Sequence, residues 1–349
     1  MRALLAAAAL LVAGSTTAAC GSDAPPTEQS APSPPQTLTV DEGKAFGVPG
    51  LSIYSVGGDL QLERNGDLRK LVVAPSLNVS YLSPRISPDG QAVAYVRLAI
   101  FSGSEGVTVL SDIRVAGLDD GGRVVVTPRG EGSFVWTPQW SPDQESLVYA
   151  HQLNQPDDAG RAFQVNAERV NLTTGESEIL VTNARDPALS PDGRLLVFVD
   201  DPALAHKLSV LNLETGERTP LLTLSDGLAV FRLPQFSPDG AWIAVAASGE
   251  GRVVSSQPKS AVHSRSNGVQ DVWLIRPDGS GLHRLTGVQE DQPDFAWSQD
   301  GRHILLRGTF GSYLAEVSTR RTQTILVPGE LHGTHDWRGS LPADPAEAP

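Results

Sequence analysis

The chain has 349 residues, with 40 Asp and Glu against 27 Lys and Arg, giving a formal charge of −13. That balance excludes a nucleic-acid binder, whose phosphate contacts need clustered cations. The single cysteine excludes a disulfide framework and a cysteine-rich zinc site, while 40% apolar residues with 34 Gly and 26 Pro fit a turn-rich globular β protein.

Arg2 is the only charge among residues 1–19, and an apolar run follows over 3–13. That run is shorter than the roughly 20 residues a bilayer span needs. A positive start, a short apolar core and small residues after it mark a secretory signal peptide. The small residues end at Ala18-Ala19-Cys20-Gly21, which resembles a bacterial lipobox, although Thr17 stands where that motif prefers Leu. The resemblance implies cleavage after residue 19 and diacylation of Cys20. It implies an anchor in the cell membrane, with the rest of the chain on the extracytoplasmic side. Residues 21–36 contain Pro25, Pro26, Pro32, Pro34 and Pro35 among Ser, Thr and Ala. Such a stretch cannot bury a core, so residues 20–46 read as a lipidated cysteine followed by an extended tether. Membrane contact is expected through the lipid alone, because an acidic mature chain is not drawn to anionic lipid.

The rest of the chain is a repeat. Ser87-Pro88-Asp89-Gly90 recurs as Ser141-Pro142-Asp143-Gln144, Ser190-Pro191-Asp192-Gly193 and Ser237-Pro238-Asp239-Gly240, with a weaker copy at Ser298-Gln299-Asp300-Gly301. An apolar residue precedes each Ser: Ile86, Trp140, Leu189, Phe236 and Trp297. Ser, Pro, Asp and Gly in that order suit the four positions of a tight turn. The strand after each turn is apolar on both faces, as in Val93-Ala94-Tyr95 and Leu196-Val197-Phe198, so it is expected between two packed layers. A second turn follows in most units, as at Asn65-Gly66, 119–122, 173–175, 214–216 and Asp278-Gly279. Four short strands per unit of roughly 40–60 residues is the pattern of a propeller blade. The fold class expected is all-β, a six-bladed β-propeller over 47–339, with a loose tail over 340–349. Asp336-Trp337 would supply the inner strand of the last blade, and residues 51–56, 60–64 and 68–73 its other three. The N- and C-terminal strands would then close the ring within one blade and remove its free edges.

The repeated apolar-Ser-Pro-Asp-Gly unit resembles the propeller repeats of the TolB family, which also occur in the propellers of prolyl-oligopeptidase-type peptidases. The resemblance covers roughly residues 47–339. It implies a TolB-like propeller lipoprotein, and Arg outnumbering Lys by 23 to 4 fits a high-GC bacterium. It implies fold more than task, since such propellers serve many functions. The sequence holds no G-x-S-x-G elbow of the kind the peptidases use.

Strands of a blade alternate in direction. The first-to-second and third-to-fourth turns therefore share one face, and the remaining connections share the other. The latter include the long ones, over 100–106, 153–161 and 248–270, so a site is expected on that long-loop face. The segments entering each inner strand carry Tyr81, Phe134, Trp136, Arg185, Asp186, Phe231, Arg232, Glu290, Asp291, His332 and His335. These are expected to ring the central channel and meet a partner, aromatics and Arg being enriched in binding hot spots. For Trp136 and Phe231 the structural alternative is packing between blades, and for Arg185-Asp186 a local ion pair. His332, His335 and Asp336 come nearest to a chemical motif, since two His and a carboxylate suit Zn²⁺ or acid–base work. Their loop setting gives them no reason to converge, so no catalytic residue, metal or cofactor is expected. The function expected is a binding or scaffold module of the cell envelope, a monomer that grips a protein or peptidoglycan-linked partner. The alternative is a hydrolase, lyase or lactonase using a divalent cation bound in the channel.

Overall fold

A computed structural model describes residues 36–38, 48–64, 66–103, 106–118, 122–156, 160, 163–200, 206–249, 269–325 and 334–341. The signal segment, Cys20, His332 and the tail beyond 341 lie outside the described residues. Strands form six sheets arranged as the blades of a six-bladed β-propeller. The inner strands of blades 1 to 5 are Val79–Ile86, Phe134–Trp140, Ala184–Leu189, Leu228–Phe236 and Asp294–Trp297. Blade 6 takes its inner strand, His335–Arg338, from the C-terminal end and its other strands, Leu51–Val56, Asp59–Arg64 and Asp67–Val72, from the N-terminal end.

The repeated turn works as a relay. Each Ser hydroxyl donates to the Asp two residues on, at 2.5 Å in blades 1 to 4 and 2.7 Å in blade 5. The same hydroxyl accepts the backbone N–H five residues on, at 2.8–3.0 Å. The Asp accepts the N–H two residues beyond itself. The turn's polar groups are thus satisfied locally, and Asp89, Asp143, Asp192 and Asp239 are held below the usual carboxylate range, chiefly by the Ser hydroxyl. Its fourth residue sits at φ 71–73° in Gly90, Gly193, Gly240 and Gly301, which is why glycine recurs there; Gln144 bears the strain at φ 64°.

The second strands are buried on both faces as expected, with Val93, Ala94 and Tyr95 wholly enclosed in blade 1 and Leu196, Val197 and Phe198 in blade 3. Apolar burial divides into six clusters, one at each blade-to-blade interface. No single central core exists; each blade is a spacer between two local cores, and the stack is stable only as a closed circle. Closure is made by four antiparallel pairs, from Leu51↔Arg338 to Tyr54↔His335. Trp337 locks it, buried among Val48, Tyr54 and Leu305 while its indole N–H donates to the Pro49 carbonyl at 2.9 Å. The two chain ends approach so closely that a Cβ at Gly339 would lie 1.9 Å from that same carbonyl oxygen.

Two expectations are corrected. The connection expected over 100–106 begins later: the strands Ala92–Gly103 and Gly106–Gly117 pair continuously as far as Gly103↔Gly106. Their outer half forms an arm beyond Val79↔Ala99, the last pair with the inner strand. The ladder runs on because alternating β-branched residues, Val107 and Val109 among them, keep strand geometry after the neighbouring strand has ended. The stretch read as tether also contributes Gln36–Leu38, a short strand parallel to Thr322–Ile325 on the outer edge of blade 5, where an unpaired edge accepts it.

Candidate functional site

The inner strands carry a device that the repeat motif did not reveal. In blades 1 to 4 a non-glycine residue at φ near 50° is followed by proline: Ser83-Pro84, Thr137-Pro138, Asp186-Pro187 and Leu233-Pro234. At each pair the ladder to the second strand skips, leaving a β-bulge. Proline is tolerated there because the inner strand is an edge strand and the bulge needs no N–H from it. In blade 5 Gln292 at φ 51° and Pro293 stand just before the strand. The residue ahead of each kink is Leu82, Trp136, Arg185, Arg232 or Asp291, and all five are half-buried. They stand at matching positions of the repeat, each directly before its kink. Arg232 feels the charges of Arg185, Asp186, Asp291 and Asp294, on three successive blades.

Deeper in, polar side chains stitch neighbouring inner strands together. Asp294 of blade 5 accepts the His335 backbone N–H at 2.6 Å and faces His335 Nδ1 at 3.2 Å. It stands 3.8 Å from Arg85 of blade 1, which donates to the His335 carbonyl at 2.9 Å. Asp336 of blade 6 accepts the Ile86 N–H at 2.7 Å. The Trp140 indole donates to the Arg85 carbonyl, Gln235 to the Phe295 carbonyl, and Leu233 N–H to Asp186. These acids occupy the unpaired edges of the inner strands. The two that lie deepest are pushed apart: Asp294 is held below the usual carboxylate range, His335 and Arg85 outweighing burial, while burial pushes Asp336 up. Arg307, over the Tyr54 ring at 5.8 Å, is pushed down to about 10 by burial.

Of the residues expected on the rim, Phe134, Arg185, Arg232 and Asp291 are half-buried, and Trp136, also half-buried, packs against the apolar cluster between blades 1 and 2. Asp186 is buried at the kink, 3.4 Å from Arg185 Nε. Tyr81 packs edge-on against Tyr95 between blades 6 and 1, and Phe231 is enclosed between blades 3 and 4. His335 is buried within the closure stitch, its Nε2 donating to the Leu305 carbonyl at 3.1 Å. Glu290 is wholly buried, accepting from Phe310 N–H at 2.8 Å and the Tyr313 hydroxyl at 2.7 Å. A Cβ at Gly308 would lie 2.2 Å from the Glu290 carboxylate. Gly308→Ala is therefore expected to lower stability by about 1–3 kcal/mol, read as a reduced urea midpoint at unchanged slope. Among the described residues no three His, Cys, Asp or Glu side chains stand together as a metal-holding group. Sequence reasoning also missed a buried network between blades 1 and 2. There Glu168 accepts from Tyr149 at 2.8 Å and Arg129 at 2.6 Å and faces His151 Nδ1 at 3.1 Å. Tyr149 and His151 share one strand, Glu168 lies on the next and Arg129 in the connection from blade 1, so no local motif flags them.

Exposed apolar side chains concentrate on the long-loop face. Leu77 and Leu224 lie in blade-to-blade connections, Phe101, Val107 and Leu110 on the arm, and Phe310, 72% exposed, on the second-to-third turn of blade 5.

These features define a six-bladed β-propeller with a charged channel mouth and an apolar-studded long-loop face. No family model matches the sequence. The fold is that of TolB: the solved TolB of Acinetobacter baumannii superposes with a TM-score of 0.58 at 17% identity, over 84% of this chain and 69% of that one. A puromycin-hydrolyzing peptidase of Mycobacterium tuberculosis gives 0.54 at 15% identity, over 85% of this chain and 45% of that one. In sequence, 195 residues, 49% of this chain, are 29% identical to the uncharacterized peptidase YuxL of Bacillus subtilis. The match spans 29% of that relative's length.

Proposed function

We propose that the protein is a binding module of the cell envelope, anchored through a lipid on Cys20, whose propeller grips a partner protein on its long-loop face. The observation that carries the reading is the set of exposed apolar side chains on that face, Phe101 and Val107 on the two sides of the arm among them. Solvent-exposed apolar groups gathered on one side of a rigid scaffold favour association. The likeness to TolB supports the propeller scaffold on which this reading rests. The test is a crosslinking capture from the native membranes, with the double variant Phe101→Ser, Val107→Ser as control. Both positions are exposed, so the variant is expected to keep its stability within about 0.5 kcal/mol. One dominant envelope protein, captured about tenfold less by the variant, is the expected result; equal capture by both forms sinks the reading. A second reading, a hydrolase, lyase or lactonase working on a channel-bound cation, draws on the 29% identity to a peptidase. It predicts a stoichiometric divalent metal in the purified protein, measured by elemental analysis.

A further inference from the structure

We infer that the mouth of the channel is a carboxylate-binding site whose anchors are the guanidinium groups of Arg185 and Arg232. The inference deepens the binding-module reading by naming what the mouth would hold. Arg185 and Arg232 occupy the same repeat position on adjacent inner strands, each directly before its bulge. The two bulges touch, since Leu233 N–H reaches Asp186 at 3.4 Å. Both arginines are half-buried. Arg232 makes no hydrogen bond or ion pair with any described residue. Arg185 has only Asp186 at 3.4 Å, and its buried Nε has no hydrogen-bond partner.

Two like charges side by side in a half-enclosed site oppose folding. Burial and the neighbouring Arg185 both hold the Arg232 guanidinium below its usual range. The nearby acids temper this without satisfying the pair. Asp186 serves the Leu233 N–H, and Asp294 serves His335. Asp291, on blade 5, leaves Oδ1 without a hydrogen bond. A chain with 40 acidic residues thus keeps two arginines on adjacent inner strands with a single ion pair, Arg185 to Asp186, between them and the acids around them. The planar fork of a guanidinium matches a carboxylate in a two-point contact, and two forks match both oxygens from two sides. The same chemistry is offered by a small organic acid and by the C-terminus of a polypeptide.

The experiment uses the purified chain and calorimetric titration with three probes: succinate, an N-acetylated alanine pentapeptide with a free C-terminus, and the same peptide as its C-terminal amide. Saturable binding of a free acid, with the amide about tenfold weaker or silent, is expected. Succinate binding as well as the free peptide identifies a small-acid site; the peptide alone identifies a chain-terminus site. Arg185→Gln and Arg232→Gln are each expected to weaken binding about tenfold while the unliganded melting temperature stays level or rises by about 1–3 °C, because a like-charged neighbour has gone. The inference is overturned by no binding up to about 10 mM, by full binding in both Gln variants, or by a melting temperature several degrees lower in both. A blank here together with positive capture by the long-loop face removes the carboxylate assignment and leaves the binding module standing.

Discussion

Trp337→Ala is expected to open the ring. The side chain is 2% exposed and fills the interface between blades 5 and 6, and its N–H is the bond that ties the C-terminal strand to Pro49. Truncating a buried Trp to Ala costs about 3–5 kcal/mol through lost burial and the cavity left behind. Here the loss falls on an inner strand of four residues, His335–Arg338, attached to the rest of its blade by one ladder. Losing that strand exposes the edge of Leu51–Val56, and the circle of local cores loses a member. The expected result is a urea midpoint lowered in proportion and rapid proteolysis between blades 5 and 6, seen as a nick near residue 334. Trp337→Phe, which keeps most of the volume and forfeits the indole bond, should fall between the two. Wild-type resistance in the Ala variant would mean that the ring is held by something other than this interface.

The second large effect is expected at Asp294. Its carboxylate accepts the His335 N–H at 2.6 Å and stands 3.8 Å from Arg85, both partners being buried. Asp294→Ala leaves a buried guanidinium without its counter-ion and a backbone donor without its acceptor, which costs about 3–5 kcal/mol. The pH dependence has a definite sign. Asp294 is held below the usual carboxylate range in the folded state, so its contribution is complete above the unfolded value, about 3.9. It is lost as pH falls further, through the lower folded value. The gap between wild type and Asp294→Ala should therefore be wide at pH 7 and shrink below about pH 4. Asp336, which burial pushes up, works the other way: its charged form opposes folding as pH rises past the unfolded value. Denaturant curves at pH 7 and pH 3 separate the two. A gap that does not change with pH would show that packing, not charge, sets the cost at residue 294.

Much of this architecture could be read from the chain because its determinants are local. Ser87, Asp89 and Gly90 bond to one another within a few residues, so the turn advertises itself wherever it recurs. The apolar strand after it is equally plain, and the pairing of the two chain ends followed from counting units. The prolines at 84, 138, 187 and 234 were just as visible, each three residues before a turn Ser, and their meaning was missed. A proline there marks a kink that decides which side chain looks into the channel. Without the kink, the residues expected on the rim mixed Arg185 and Arg232, half-buried just ahead of it, with Phe231 and Glu290, which are buried. The arm was missed because strand and loop compositions overlap where Ser and Gly interrupt an apolar run. Glu168 and His151 were invisible for a different reason: they lie 17 residues apart, and only the pairing of two strands brings them together.

The pairing of Leu51 with Arg338 also sets an order of events in time. A contact between residues so far apart in the chain must pay the entropy of closing nearly the whole molecule into a loop. It cannot form until the last blade has been synthesised. Until then five blades can assemble in sequence while both ends of the stack remain sticky strand edges, open to the wrong partner. The slow, concentration-sensitive step in making this protein is therefore expected to be its final one, and a chaperone that shields those two edges would speed its maturation without touching the channel.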